Sequence, residues 1–177
     1  IFNFLFSKKI KKNEGSFDVI IANNVFNHSN NPNNFLKGIK NLLTKDGAFV
    51  FEVLYWKDIV LNKRFDQIYH EHISHFTAKS LKNLLNYNGL FIDKIYTNNY
   101  HGGTLRIIAK KITNKNQRPS KELSEIIKKE VQAGIFNFKT YENFQKYLVN
   151  LKIKFVNKIF NLLNDGYVII GIGAGAK

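Results

Sequence analysis

Three of the chain's five histidines, a glutamate, an aspartate and a tyrosine fall within residues 65–76, FDQIYHEHISHF. Imidazole titrates near neutrality and also ligates metals, so this stretch suits either proton transfer or metal binding. A metal site would draw on His70, His72 and His75, with Glu71 beside them. His70 and His72 share a face only on an extended backbone, whereas His72 and His75 share one only on a helix. No single regular geometry serves all three, and the metal reading yields to an acid–base one. In that reading His72 takes or gives the proton, and Tyr69 or Glu71 arranges charge around it. A solvated polar loop without chemistry is the ordinary alternative.

Two further stretches carry possible chemistry. HGGTLR, residues 101–106, offers two glycines that would let backbone approach a ligand, and an arginine able to clamp a phosphate or carboxylate. Its candidates are His101, Gly102, Gly103 and Arg106, and a plain hairpin turn is the rival reading. GIGAGAK, residues 171–177, has the glycine spacing of a phosphate-binding turn, through Gly171, Gly173 and Gly175.

These residues need elements to position them. Residues 1–12 read as the tail of an amphipathic helix. FDVIIANN (17–24) and AFVFEVLYW (48–56) are short Val-, Ile- and Phe-rich runs of the buried parallel-strand type. Between them, Pro32 stands near the start of a helix over residues 35–43, and TKDG reads as a turn. Strand, helix, strand makes a βαβ unit and therefore a parallel sheet. Ligands of such sheets sit at the carboxyl ends of the strands. There the first strand presents Asn23, Asn24 and then His28, and the second leads into the histidine-rich stretch, so His28 and that stretch should meet at one rim. Residues 57–76 read as one long polar-aromatic connection. A helix follows over 77–89, with Thr77 as its cap and Gly89 past its end. Residues 90–98 and 103–111 read as an antiparallel pair at the sheet edge. Residues 112–120 form a polar linker, 121–163 show long helical periodicity, and 165–177 read as a strand entering the glycine-rich turn.

With 177 residues, 44% hydrophobic, including 16 Phe and 8 Tyr, the chain can build a packed core. No run reaches the length of a membrane span, so no membrane partner is expected. The chain lacks cysteine, which excludes disulfides and Cys-ligated zinc within these residues and fits a cytoplasmic protein. The net charge of +14 would suit a polyanion, but lysine supplies nearly all of it, beside only Arg64, Arg106 and Arg118. The lysines are scattered, and Lys, Asn and Ile share A/T-rich codons. Base composition explains the charge better than nucleic-acid binding does. Ile1 at the start and a motif interrupted at Lys177 lead us to expect a fragment cut at both ends.

Taken together, FDVIIANNVFNH, a helix, and DGAFVFEV resemble the second half of a class I S-adenosylmethionine-dependent methyltransferase. FDQIYHEH, HGGTLR and GIGAGAK, in that order, resemble the deoxysugar C-methyltransferases specifically. The resemblance covers essentially the whole chain. It implies an α/β fold: the second half of a Rossmann-like sheet with parallel strands and an antiparallel edge pair (residues 1–111), then a linker and long helices (112–163), then the first strand of a second Rossmann-like unit (164–177). It further implies methyl transfer from S-adenosylmethionine to a carbon of a nucleotide-linked keto-sugar, with a non-catalytic nucleotide-sugar binding module as the rival reading. By that resemblance His72 is the general base, and Tyr69, Glu71 and His28 are its companions. Asn23 and Asn24 lie at the donor, and Gly171, Gly173 and Gly175 belong to the later motif on the substrate side. His70 and His75 receive no chemistry. The family's donor-binding Gly-x-Gly-x-Gly loop and its zinc-binding cysteines do not occur in these residues, so any zinc belongs to a domain upstream.

Overall fold

The computed structural model describes residues 2–114 and 119–173. Helix α1 (Phe4–Glu14) is capped by Asn3, whose side chain accepts from the Phe6 amide. It packs beside α2 (Pro32–Leu42), which opens three residues earlier than its apolar spacing suggests. Asn31 caps α2 and Pro32 occupies its first turn, where a missing N–H costs nothing. Phe35, Leu36, Ile39 and Leu42 then bury one face.

The sheet has the order β1 (Phe17–Asn23), β2 (Leu43–Leu54), β4 (Thr104–Lys111), β3 (Leu90–Asn98). Strands β1 and β2 are parallel, and β4 runs antiparallel to both β2 and β3. The antiparallel pair therefore closes one edge, with β4 inside and β3 outermost. Strand β2 begins at Leu43, directly after α2, so the expected TKDG turn is replaced by an irregularity within the strand. Phe17 pairs with Leu43, yet Val19 already pairs with Ala48. A Cβ on Gly47 would lie 2.9 Å from the Phe17 carbonyl oxygen, which is why the kink needs glycine there.

One face of the sheet carries the core. Phe49, Phe51 and Val53 of β2, with Leu105, Ile107 and Ala109 of β4, are fully buried under α2 and α4 (Ala78–Tyr87). Thr77 and Ser80 form the capping box of α4, and Gly89 follows its end with φ +73°. The long connection after β2 is not structureless. It holds α3 (Trp56–Leu61) and a single 3₁₀ turn, Phe65–Gln67.

The helical stretch beyond the linker breaks into α5 (Lys121–Gln132) and α6 (Phe138–Asn164) at Gly134, whose φ is +69°. Residues 167–173 form no strand, contrary to the sequence-based expectation. Val168 and Ile172 stand 86% and 97% exposed, and a strand without a neighbour to pair with has no ladder to hold it. Among the described residues no helix is long and apolar enough to cross a membrane.

Glu130 of α5 is fully buried and receives the backbone N–H groups of Ala78 and Lys79, the latter at 3.2 Å. It thereby satisfies two donors at the head of α4 that the capping box leaves over. Burial raises its pKa, against the lowering effect of those hydrogen bonds. Glu130→Ala should cost about 2–3 kcal/mol, the scale for hydrogen bonds to a charged group. Urea denaturation should show a lower midpoint with an unchanged slope.

Candidate active site

Two segments supply the candidate catalytic side chains, and two phenylalanines bring them together. His28 ends a three-residue 3₁₀ turn, Phe26–His28. Phe26 is fully buried and stacks on Phe76, at the end of the histidine-rich loop, with ring centroids 5.2 Å apart and planes 4° from parallel. The Ser74 N–H donates to the Asn27 carbonyl at 3.0 Å. With these anchors, the His28 and His72 rings lie edge to face, 5.1 Å apart. The rim read from topology is thus a physical cluster.

His72 is oriented by a backbone carbonyl. Its Nδ1 lies 2.8 Å from the Gln67 oxygen. A carbonyl only accepts, so Nδ1 carries the proton, and the lone pair of the neutral ring sits on Nε2. Gln67 is itself buried and held by its N–H to the Arg64 carbonyl at 3.1 Å. The Tyr69 ring lies 4.3 Å from His72, and its hydroxyl donates to Glu71 at 3.4 Å. Desolvation, and then the Glu71 carboxylate, raise the Tyr69 phenol above its ordinary pKa, which keeps it a neutral donor. His70 and Glu71 are exposed. His75 lies half-buried, 6.2 Å from His72 and 4.8 Å from the Trp56 indole. Burial, and then His72, lower its pKa. Among the described residues no three His, Cys, Asp or Glu side chains gather as a metal ion requires.

A second polar site forms at the carboxyl ends of β1 and β2. Asn23, Asn24, Glu52, Asn98, Tyr100 and Arg106 line a cavity of about 560 Å³. Asn24 adopts φ +53° and donates its N–H to the Glu52 carbonyl at 2.9 Å. Its side-chain oxygen is buried with no partner among the described residues. Arg106 does not reach the cavity as a lone cation. Its Nε and Nη2 both lie 2.9 Å from one Glu52 carboxylate oxygen, which Asn98 also meets at 3.3 Å.

The His-Gly-Gly turn is packed tightly against its own chain. His101, Gly102 and Gly103 take φ of +51°, +85° and +128° in succession. A Cβ on Gly102 would strike the Arg64 guanidinium, and one on Gly103 would lie 2.5 Å from Asp58. In this structure the backbone of both glycines thus approaches side chains of the same chain closely. The Gly103 carbonyl accepts from the Tyr55 N–H at 3.0 Å, which buttresses the start of α3. Exposed His101 packs on Tyr100, with centroids 4.0 Å apart. Gly171 and Gly173 are exposed, with nothing within 4 Å of an added Cβ, and line no site among the described residues. Gly175 lies outside the described residues. Sequence reasoning did not single out Gln67, Asn98 or Trp56. Only Trp56 gave a signal, as the chain's one tryptophan.

Two family models match the chain. Residues 2–95 match the model of a methyltransferase domain, and residues 99–177 that of a C-methyltransferase C-terminal domain. The chain is 28% identical over 171 residues to C-methyltransferase NovU of Streptomyces niveus, covering 96% of this chain and 40% of that protein. It therefore spans less than half the length of this curated relative. Among solved structures, a methyltransferase in complex with the Haloferax volcanii Trm112 activator is 14% identical, with a TM-score of 0.46 over 54% of each chain. A SAM-dependent methyltransferase from Anabaena variabilis is 16% identical, with a TM-score of 0.46 over 62% of this chain and 55% of that one.

The tight packing on Gly103 can be measured. Gly103→Ala combines left-handed backbone strain with a clash against Asp58, and should cost about 2–4 kcal/mol. Gly15→Ala, at φ +80° in open space, carries the backbone strain without the clash and should cost less. Thermal midpoints of the two variants separate them, and equal shifts would contradict the Asp58 contact.

Proposed function

The chain belongs to the methyltransferase-domain family, and on that premise we propose that it carries the acceptor-side chemistry of an S-adenosylmethionine-dependent C-methyltransferase. The proposed acceptor is a nucleotide-linked keto-deoxysugar. The observation that carries the reading is the 2.8 Å contact between His72 Nδ1 and the Gln67 carbonyl, because it leaves Nε2 as the basic nitrogen. We further propose a cytoplasmic enzyme whose partners are small molecules, not nucleic acid or membrane.

A sugar carbon becomes nucleophilic only after it loses a proton next to a carbonyl. In the proposed step that proton passes to His72 Nε2, the C–H bond breaks, and its electron pair spreads onto the keto oxygen. With its one proton turned from Glu71 toward the substrate, the neutral Tyr69 hydroxyl suits hydrogen-bond donation to that oxygen, and His28, 5.1 Å from His72, suits the same task when protonated. Glu71, in contact with Tyr69, orients the phenol or binds a sugar hydroxyl. Asn23 and Asn24 would form one wall of the donor site. The buried, unpartnered oxygen of Asn24 is the feature that fits a ligand hydroxyl or amine. When bound, the donor supplies an electrophilic sulfonium methyl group. The remaining task of the chain is to hold the acceptor carbon in line.

In the whole enzyme, His72→Asn should lower kcat by roughly 10²–10⁴, the usual worth of a general base. Tyr69→Phe and His28→Asn should cost less, roughly 10²–10³ for an oxyanion donor. Exchange of the sugar's α-proton with solvent, followed by NMR without methyl donor, isolates the base step. Near-normal exchange in His72→Asn would remove His72 from the role.

A further inference from the structure

His75 and Trp56 lie outside the proposed chemistry, yet they join the cluster to the helix α6. The Trp56 indole N–H donates to the Tyr141 hydroxyl oxygen at 3.1 Å, and the two rings lie 15° from parallel. The Tyr141 hydroxyl in turn donates to the Ile135 carbonyl at 2.6 Å, in the turn between α5 and α6. The directions of these bonds are fixed. A carbonyl can only accept and an indole N–H can only donate, so the one hydroxyl proton of Tyr141 goes to Ile135 and its lone pair faces Trp56. The position of the indole is thereby tied to the α5–α6 turn.

Trp56 passes that position on. Its ring packs on His75 at 4.8 Å, tilted by 41°, and His75 stands edge-on to His72 at 6.2 Å. The Nδ1 of His75 is buried without a partner among the described residues, so the ring is held by its aromatic neighbours and not by a hydrogen bond there. Trp56 also donates its backbone N–H to the Phe76 carbonyl at 2.9 Å, which fixes the residue next to His75. The chain Ile135, Tyr141, Trp56, His75, His72 is thus continuous contact between α6 and the proposed base.

We infer that Trp56 and His75 are positioning residues for His72, held in place by Tyr141, so that the seating of α6 sets the alignment of the base. This rests on the reading of His72 as the base. Misplacing a catalytic group by about 1 Å can cost roughly 100-fold, so small shifts along this chain are enough to matter.

The test uses the whole enzyme with Tyr141→Phe and Trp56→Phe, each of which keeps an aromatic ring and removes one hydrogen-bonding group. Tyr147→Phe is the control, since it removes a hydroxyl from the same helix but keeps the ring beneath the Lys63 ammonium, at 4.2 Å, and so leaves the seating of α6 unchanged. The expected result for Tyr141→Phe and Trp56→Phe has three parts: kcat and donor-independent α-proton exchange fall roughly 10-fold or more, acceptor KM stays within about twofold, and the His72 imidazole NMR resonances move. Tyr147→Phe should change none of these. The inference is overturned if the His72 resonances stay in place in both variants, or if KM alone changes. The NMR readout keeps the two ideas apart. If His72→Asn retains exchange, the base reading fails, and unmoved resonances in Tyr141→Phe would still count separately against the coupling.

Discussion

The stacking of Phe26 on Phe76 is the contact on which the site depends. Neither segment of the candidate site could hold its own geometry. One is a single 3₁₀ turn, and the other is a connection of some twenty residues containing one short helix and one further turn. The first begins and the second ends with a phenylalanine sunk in the core, and the two rings lie face to face. Phe26 also touches Phe35 of α2 and Phe51 of β2, at 5.2 and 5.5 Å. The turn bearing His28 is therefore referenced to both layers of the fold. The loop is closed at its base by the bridge between Tyr55 and Phe76. Polar groups acquire their positions here from apolar neighbours two to four residues away, because a close-packed interior tolerates little displacement.

The same logic governs the second cavity. Strand β4 lies between β2 and β3, and its register sets Arg106 opposite Glu52. The ion pair is a consequence of sheet order, since shifting β4 by one residue would turn Arg106 into the core and Leu105 out of it. Glu52 is only 4% exposed, so its charge needs that partner. Beyond the sheet, α5 joins the core through Leu123, and through Glu130 it serves the head of α4. No residue of α6 is buried. Its attachment runs through a few half-buried aromatic contacts, chiefly Tyr141 on Trp56 and Tyr147 under Lys63. Such a helix can be reseated without cost to the core.

What was legible in the sequence follows the range of the interactions involved. The strands at 17–24 and 48–56, the cap at Thr77 and the glycine after α4 were readable because periodicity and capping are local. The meeting of His28 with the histidine-rich loop was readable because parallel topology has few solutions. The glycines of the His-Gly-Gly turn were recognisable as special, but their partners were not. Asp58 and Arg64 lie about forty residues away, and no local pattern marks them. The expected strand at 165–173 shows the converse limit. Its composition favours a strand, yet a strand exists only through pairing, and the described residues offer it no neighbour. Gln67 was invisible for another reason. It acts through its carbonyl, which every residue possesses.

That last point bears on how the cluster divides its labour. His28, His70, His72 and His75 are chemically identical until the fold separates them. His70 stands in solvent against the edge of Tyr69. His75 is half-buried between Trp56 and His72, where burial favours its neutral form. His28 is exposed beside His72. His72 has Nδ1 fixed on a carbonyl, so a neutral ring must keep its lone pair on the opposite nitrogen. A base needs a defined lone pair more than it needs a particular neighbour, because proton transfer demands a fixed donor–acceptor line. The backbone oxygen of Gln67 sets that line without adding a charge. A carboxylate in its place would also fix the tautomer, but it would stabilise the imidazolium and raise the pKa of the ring. A neutral orienting group fixes the tautomer without that charge. The division of roles therefore rests on one carbonyl, and that carbonyl is held by a 3₁₀ turn whose only signature in the sequence is the polar stretch around it.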